Sequence, residues 1–271
     1  MATAVFFHAH PDDEALSTAG TMILAAEAGH RVVLVTATRG ELGEAPGLGT
    51  APGEAGLGAL REAELRSSAE ILGVERVELL GYHDSGMAGE PGNADLDAFW
   101  QADVDEATAR LAAILTEESA DLLTCYDPEG TYGHPDHIQV HRVGVRAADL
   151  AGVELVYEAT VNRDHILEMS RLAAEMDLGD SFTDQDRVEL EEGKLGVAAA
   201  RITHHIDVSS VIDRKRQAMA AHRSQITDDS FFMTMPDEAF VMAFGTEWYI
   251  RHGAESGGPV GTDLFATLEA P

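Results

Sequence analysis

Uninterrupted apolar runs, each followed by a stretch of helical pattern, decide what this chain can fold into. Residues 3–9, 31–38, 76–82, 121–126 and 154–160 read as strands. Runs such as Ala4-Val5-Phe6-Phe7, Val32-Val33-Leu34-Val35 and Leu122-Leu123-Thr124-Cys125-Tyr126 lack the alternation of a half-exposed sheet. Strands covered on both faces belong to parallel sheets with helices above and below. Helical patterns over 15–29, 59–72, 99–119 and 137–151 fill the gaps. The expected fold is therefore α/β, a Rossmann-like, doubly wound and mainly parallel sheet. After residue 160 the pattern weakens. We expect a core over 1–160 and a less regular C-terminal portion, 161–271, that completes the pocket within the same domain. Within it, 173–200 is acidic and reads as a lid or mobile insertion, 211–224 reads as a helix, and the tail after His252 reads as loosely ordered. A chain of 271 residues can bury a substantial core in this way.

Charge narrows the partners. With 48 acidic and 18 basic residues the formal net charge is −30, so phosphate backbones and anionic lipids are repelled. Nucleic acid and membrane partners are set aside, and a small molecule is expected instead. Only two lysines occur, Lys194 and Lys215; a saline working environment and plain codon bias account for this equally well. The lone cysteine, Cys125, excludes an internal disulfide and a four-sulfur zinc site. It lies in an apolar run and reads as a small buried residue. No basic leader precedes the first strand and no apolar run is long enough to span a bilayer, so a cytoplasmic setting is expected. Nothing in the sequence speaks to oligomeric state.

Two clusters carry the chemistry: His10-Pro11-Asp12-Asp13-Glu14 after the first strand and His134-Pro135-Asp136-His137 after the fourth. Imidazoles and carboxylates at the carboxyl ends of neighbouring parallel strands would form an open metal site. His10 and Asp13, three apart on one loop, can turn toward one point, and His137 would supply a third ligand. This oxygen and nitrogen set suits zinc first, with Fe2+, Mn2+ or Co2+ possible. Zinc lowers the pKa of bound water to about 7. Asp12, pointing away from the ligand Asp13, suits a general base. His134, as an imidazolium, would stabilise an oxyanion or protonate a leaving amine. Asp136 would hold His134 in orientation, and Tyr132 would donate its phenol to the same oxyanion. Taken singly, each is an ordinary turn or capping residue, and Asp12 could cap the next helix. Two such clusters at two strand ends make that account poor for the set.

These two stretches, written His-Pro-Asp-Asp-Glu and Tyr-Gly-His-Pro-Asp-His, resemble the PIG-L (LmbE-like) family of zinc-dependent N-deacetylases. Thr38-Arg39-Gly40-Glu41-Leu42-Gly43-Glu44, Arg61-Glu62-Ala63-Glu64-Leu65 and Asp84-Ser85-Gly86-Met87-Ala88-Gly89 extend the likeness. They point to the branch holding the N-acetylglucosaminyl-inositol deacetylase of mycothiol synthesis and the mycothiol S-conjugate amidase. The likeness covers residues 4–146 and is thin beyond, apart from Ala221-His222-Arg223-Ser224-Gln225. It implies zinc on His10, Asp13 and His137, Asp12 as base and His134 as its acid or electrostatic partner. It also implies that Arg61 and Asp84 meet sugar or inositol hydroxyls. From the residues alone, Arg61 is a solvated helix position and Asp84 a turn residue. Glu14 either braces its loop or begins a helix.

The expected activity is metal-dependent hydrolysis of an N-acetyl amide on a glucosamine-type sugar, with release of acetate. The alternatives are an amidase acting on a larger thiol-conjugated cysteinyl amide, and a metal-containing sugar-binding protein without turnover. A dinucleotide-dependent oxidoreductase is excluded because His10-Pro11-Asp12 stands where a glycine-rich turn would be needed. A serine hydrolase is excluded because Ser85 lacks a glycine two residues before it.

Overall fold

The computed structural model describes residues 1–48, 53–175, 190 and 192–268. A seven-stranded sheet runs through it in the order β3-β2-β1-β4-β5-β7-β6. The first five strands are parallel: β1 (Thr3–His8), β2 (Arg31–Thr36), β3 (Arg76–Leu79), β4 (Leu122–Tyr126) and β5 (Leu155–Thr160). Their apolar runs are buried as the sequence predicts, except at β3, which lies on the edge and is half-covered. The chain winds outward from β1 to β3, then returns past β1 to β4 and β5. With right-handed crossovers, that reversal puts the helices of the two halves on opposite faces of the sheet. It also opens a crevice between the carboxyl ends of β1 and β4, the place where doubly wound folds bind ligands.

Local chemistry sets where the helices begin and end. The pattern over 15–29 is two helices, α1 (Asp13–Ser17) and α2 (Ala19–Glu27), because the backbone leaves helical geometry at Thr18. The next helix, α3 (Glu54–Leu72), starts earlier than predicted and ends on Gly73 in the left-handed region. The predicted helix over 99–119 is interrupted. A 3-10 turn occupies Phe99–Gln101, and α4 (Val104–Glu117) starts afresh where the Asp103 carboxylate accepts from the amides of Asp105 and Glu106. After the short α5 (Gly130–Gly133) comes α6 (Pro135–Ala151), which begins two residues before His137. Pro135 is suited to a first helical turn, where a missing amide costs nothing. On the sheet, α6 lies directly against β4: a Cβ at Gly144 would sit 2.8 Å from Cys125 Cβ. Cys125 is buried, and burial raises its thiol well above the usual range.

The C-terminal portion holds more regular structure than its sequence suggests. After α7 (Arg163–Glu175), most of the segment read as a lid over 173–200 lies outside the described residues. Beyond it are β6 (His204–Asp207), α8 (Ile212–Ala221), α9 (Phe231–Thr234), α10 (Asp237–Phe244) and β7 (Thr246–Arg251). Strand β7 pairs antiparallel with β5, and β6 antiparallel with β7. Neither strand was predicted. Thr246-Glu247-Trp248-Tyr249-Ile250-Arg251 buries a glutamate, which hides its pattern. The tail after His252 is irregular and largely exposed, but it is anchored at one point: Leu264 and Phe265 are buried, and the Phe265 ring stacks on His30 at 4.2 Å. Among the described residues no helix is long and apolar enough to cross a membrane.

The buried Glu247 ties this late strand to the start of α2. Its carboxylate accepts from the amides of Gly20 and Thr21 at 2.8 and 2.9 Å, from Thr21 Oγ1 at 2.6 Å and from Lys215 Nζ on α8 at 2.7 Å. A negative charge at a helix N-terminus is favourable, and Lys215 is fully enclosed with it. Glu247→Ala leaves Lys215 buried without its partner and should lower unfolding free energy by about 3–5 kcal/mol. Urea denaturation checks this; a midpoint equal to that of the parent protein would refute it.

Candidate metal and catalytic centre

The loops leaving β1 and β4 meet in the crevice. Asp13 opens α1 and turns its carboxylate back, where Oδ2 accepts from the His10 amide at 2.8 Å. The same oxygen lies 3.4 Å from His10 Nδ1 and 3.4 Å from His137 Nε2. Ligand atoms about 2.0–2.1 Å from one tetrahedral ion stand about 3.3–3.4 Å from each other, so Asp13 stands from each of the two histidines at the distance that separates two ligands of one ion. The charges agree. Burial works against a charged His10, yet the carboxylates of Asp84, Asp13 and Asp136 outweigh it and hold the imidazolium well above the usual histidine range. Burial would raise Asp13, but His137 and His10 bring it well below the usual carboxylate range. The centre is built to hold positive charge. The buried residues whose ligand atoms all lie within 4.8 Å of one another are His10, His134 and His137, and a second such group is His10, Asp84, His134 and Asp136.

Neighbouring groups fix the ring of His10. Its Nε2 lies 3.2 Å from Asp136 Oδ2 and 3.5 Å from Asp84 Oδ1. Asp136 in turn accepts from the Ser85 amide at 2.9 Å and from the Ser85 hydroxyl in a short hydrogen bond. The expectation that Asp136 orients His134 is therefore corrected: its carboxylate serves His10, and only its backbone amide reaches His134, donating to Nδ1 at 3.1 Å. Tyr126 stacks on the His137 ring at 4.4 Å, while its hydroxyl meets His8 Nδ1 at 2.7 Å. His8 Nε2 lies 2.9 Å from Thr18 Oγ1, so it keeps the stack in register.

Asp12 occupies strained backbone, with φ 106° at a residue that is not glycine. Three interactions hold it there. Its amide donates to Glu14 Oε2 at 2.9 Å, and Arg61 Nη2 donates to its Oδ2 at 2.9 Å and to the Pro11 carbonyl at 2.5 Å. Arg61 Nη1 donates to the Gly40 carbonyl at 2.5 Å. Burial pushes the Asp12 carboxyl up to about 6 against the pull of Arg61, with Asp13 and Glu14 adding to the rise. That position suits a base working near neutral pH.

His134 caps α6 from extended backbone. Because Nδ1 accepts the Asp136 amide, its proton sits on Nε2. Burial, with His10 and His137 nearby, lowers its pKa to about 4, so the resting imidazole is neutral and Nε2–H is a donor. Tyr132 stands at the mouth, 43% exposed, with its hydroxyl 3.4 Å from His137 Nε2. Arg61 is no solvated helix position: it is 4% exposed, and Asp84 is 5% exposed. Asp84 accepts from the amides of Gly86 and Leu42 and faces His10.

Reading the sequence left the role of Glu14 open and missed the partners that support this centre. Glu14 lies in the first turn of α1 and braces its loop, its carboxylate meeting Asp12, Ser68 and His222. Ser85, considered only as a nucleophile, is fully buried and holds Asp136. Each lies in a quoted motif, so the signal was present, but their partners are remote in sequence.

Residues 5–148 match the family model described as PIG-L, GlcNAc-PI de-N-acetylase. The chain belongs to this family. Among its relatives is a 1D-myo-inositol 2-acetamido-2-deoxy-alpha-D-glucopyranoside deacetylase from Acidothermus cellulolyticus, 41% identical, with 90% of this chain and 86% of that protein covered. The fold is shared with N,N'-diacetylchitobiose deacetylase from Pyrococcus horikoshii at TM-score 0.59 and 20% identity, over 91% of this chain and 82% of that one. It is shared equally with the 4-carboxy-2-hydroxymuconate hydratase from Pseudomonas putida at TM-score 0.58 and 19% identity, over 97% and 99% of the two chains. Fold alone therefore does not separate amide hydrolysis from hydration. PIG-L deacetylases depend on a metal ion, and the buried histidine and aspartate cluster is where this chain can hold one.

If Asp136 orients His10, Asp136→Asn should weaken zinc binding by about 10–100-fold. Competition with a chromophoric chelator measures this, and an unchanged dissociation constant would assign Asp136 elsewhere.

Proposed function

We propose that the protein hydrolyses the N-acetyl amide of an N-acetylglucosaminyl-inositol substrate to acetate and a free amine, with zinc as its metal. The observation that carries this reading is the convergence of His10, Asp13 and His137 beside a separately held Asp12. The substrate class is supported by relatives of that printed name aligned along nine-tenths of the chain.

A divalent ion held by these ligands supplies Lewis-acid chemistry, polarising the amide carbonyl and acidifying water. Asp12, fixed by Arg61, takes the proton of the attacking water. His134 Nε2–H and the Tyr132 hydroxyl donate to the carbonyl oxygen as it gains negative charge, each such donor being worth about 10²–10³ in turnover. When the C–N bond breaks, the departing nitrogen needs a proton. With His134 neutral at rest, Asp12 returns the one it took. Arg61 and Asp84 are proposed to meet the sugar hydroxyls. Both are already shared with Asp12 and His10, so substituting either should disturb the catalytic groups as well as sugar binding. The C-terminal portion is proposed to complete the pocket within the same domain. A cytoplasmic setting is proposed as well.

Incubating zinc-loaded protein with N-acetylglucosaminyl-inositol should release acetate and amine in equal amounts, and His137→Ala should abolish both release and zinc retention. No release from zinc-replete parent protein, with turnover of a bulky cysteinyl S-conjugate amide, would move the assignment to the amidase. Asp12→Ala should keep its zinc while turnover falls about 10²–10⁴-fold. Parallel loss of metal, read by atomic absorption, would make Asp12 a ligand instead.

A further inference from the structure

The segment Ala221-His222-Arg223-Ser224-Gln225 is far in sequence from both catalytic clusters, yet it reaches the groups that hold Asp12 from two sides. His222 is fully buried at the end of α8, and its Nε2 lies 2.6 Å from Glu14 Oε1. The other oxygen of Glu14 accepts the Asp12 amide, and Ser68 Oγ completes the grip on Oε1 at 2.6 Å. Two residues on, Ser224 donates from its amide at 2.8 Å and from its hydroxyl at 2.7 Å to the two oxygens of Glu64. Glu64 lies one turn along α3 from Arg61, which holds the Asp12 carboxylate. Gln225 Nε2 donates to the Glu44 carbonyl at 2.7 Å, and the Gly47 amide donates to the Ser224 carbonyl at 3.3 Å. Both bonds fasten the loop whose Gly40 carbonyl accepts from Arg61.

We propose that His222 is a positioning residue for Asp12, acting through Glu14 on the strained Asp12 backbone while Ser224 steadies the helix that carries Arg61. The proposal rests on the deacetylase reading for its catalytic consequence and on the hydrogen-bond geometry for the rest. A residue at φ 106° relaxes unless its surroundings over-determine it. The Asp12 amide bond to Glu14 is one such constraint, and Glu14 is itself held by His222 and Ser68. A base displaced by about 1 Å loses roughly 10²-fold in rate without weakening substrate binding. Purely structural cement between the C-terminal portion and the core would instead lower the folded fraction and leave the kinetics of the folded protein intact.

The atoms allow a discriminating pair of variants. In His222→Gln the side-chain amide nitrogen reaches the place of Nε2. In His222→Asn it reaches only the place of Nδ1, which is buried with no hydrogen-bond partner among the described residues. Measured on zinc-loaded protein, His222→Asn should lower kcat about 10²-fold with KM nearly unchanged, and its zinc content should stay stoichiometric. His222→Gln should recover most of the loss. Amide exchange followed by NMR should show the Asp12 N–H protected in the parent and in His222→Gln, and exchanging freely in His222→Asn. Equal kinetics for the two variants, or protection of Asp12 in both, would overturn the proposal. Should the asparagine variant not fold, Ser68→Ala removes the companion bond to Glu14. It should speed Asp12 exchange and lower kcat, and failure to do either would also overturn it. A parent protein that releases no acetate refutes the deacetylase reading alone, and the exchange measurements then decide the positioning claim.

Discussion

Too many carboxylates share one small volume in this protein, and much of its architecture answers that fact. Asp13, Asp84 and Asp136 surround His10, with Asp12 and Glu14 immediately beside them, all largely enclosed. Burying an isolated anion is costly unless it is paired or hydrogen-bonded. Each of these anions has been given a partner: Arg61 for Asp12, His222 and Ser68 for Glu14, Ser85 for Asp136, and backbone amides for Asp84. The proposed metal site between Asp13, His10 and His137 is where a cation would add to that balance.

That constraint explains the division of labour between neighbouring aspartates. Asp12 and Asp13 are adjacent in sequence, yet one carboxylate lies among imidazoles and the other against a guanidinium. The inverted φ of Asp12 turns the two apart. Opposite surroundings then push their proton affinities in opposite directions, Asp13 well below the usual range and Asp12 up to about 6. Two like side chains acquire unlike chemistry through their neighbours.

How much of this could be read in advance follows from how far apart the partners lie in the chain. The parallel strands and the meeting of the two histidine-aspartate clusters were legible because each depends on a run of a few residues, and a doubly wound sheet brings the ends of β1 and β4 together whatever lies between them. The start of α6 was read two residues late, at His137, because the apolar periodicity begins there, whereas Pro135, a residue suited to a first helical turn, opens the helix. Asp136 was assigned to the wrong histidine because adjacency in sequence favours His134, whereas the turn of α6 presents its carboxylate to a ring 126 residues away. Arg61 looked solvated because α3 carries many charges, and only the folded loops at Pro11 and Gly40 enclose it. Strands β6 and β7 escaped notice for a related reason. Their inward positions include Glu247, whose burial makes sense only once Gly20, Thr21 and Lys215 are beside it.

The link between Glu247 and the start of α2 spans 227 residues, and it has a consequence for how the molecule comes into being. On the ribosome, the segment that makes α2 emerges long before the carboxylate that caps it. Until then the amides of Gly20 and Thr21 have only water to bond, and Glu14 lacks the imidazole of His222. A nascent chain holding every proposed zinc ligand is thus still without the contacts that hold Asp12. The contact between Glu14 and His222, 208 residues apart, therefore forms only after the C-terminal portion has been made.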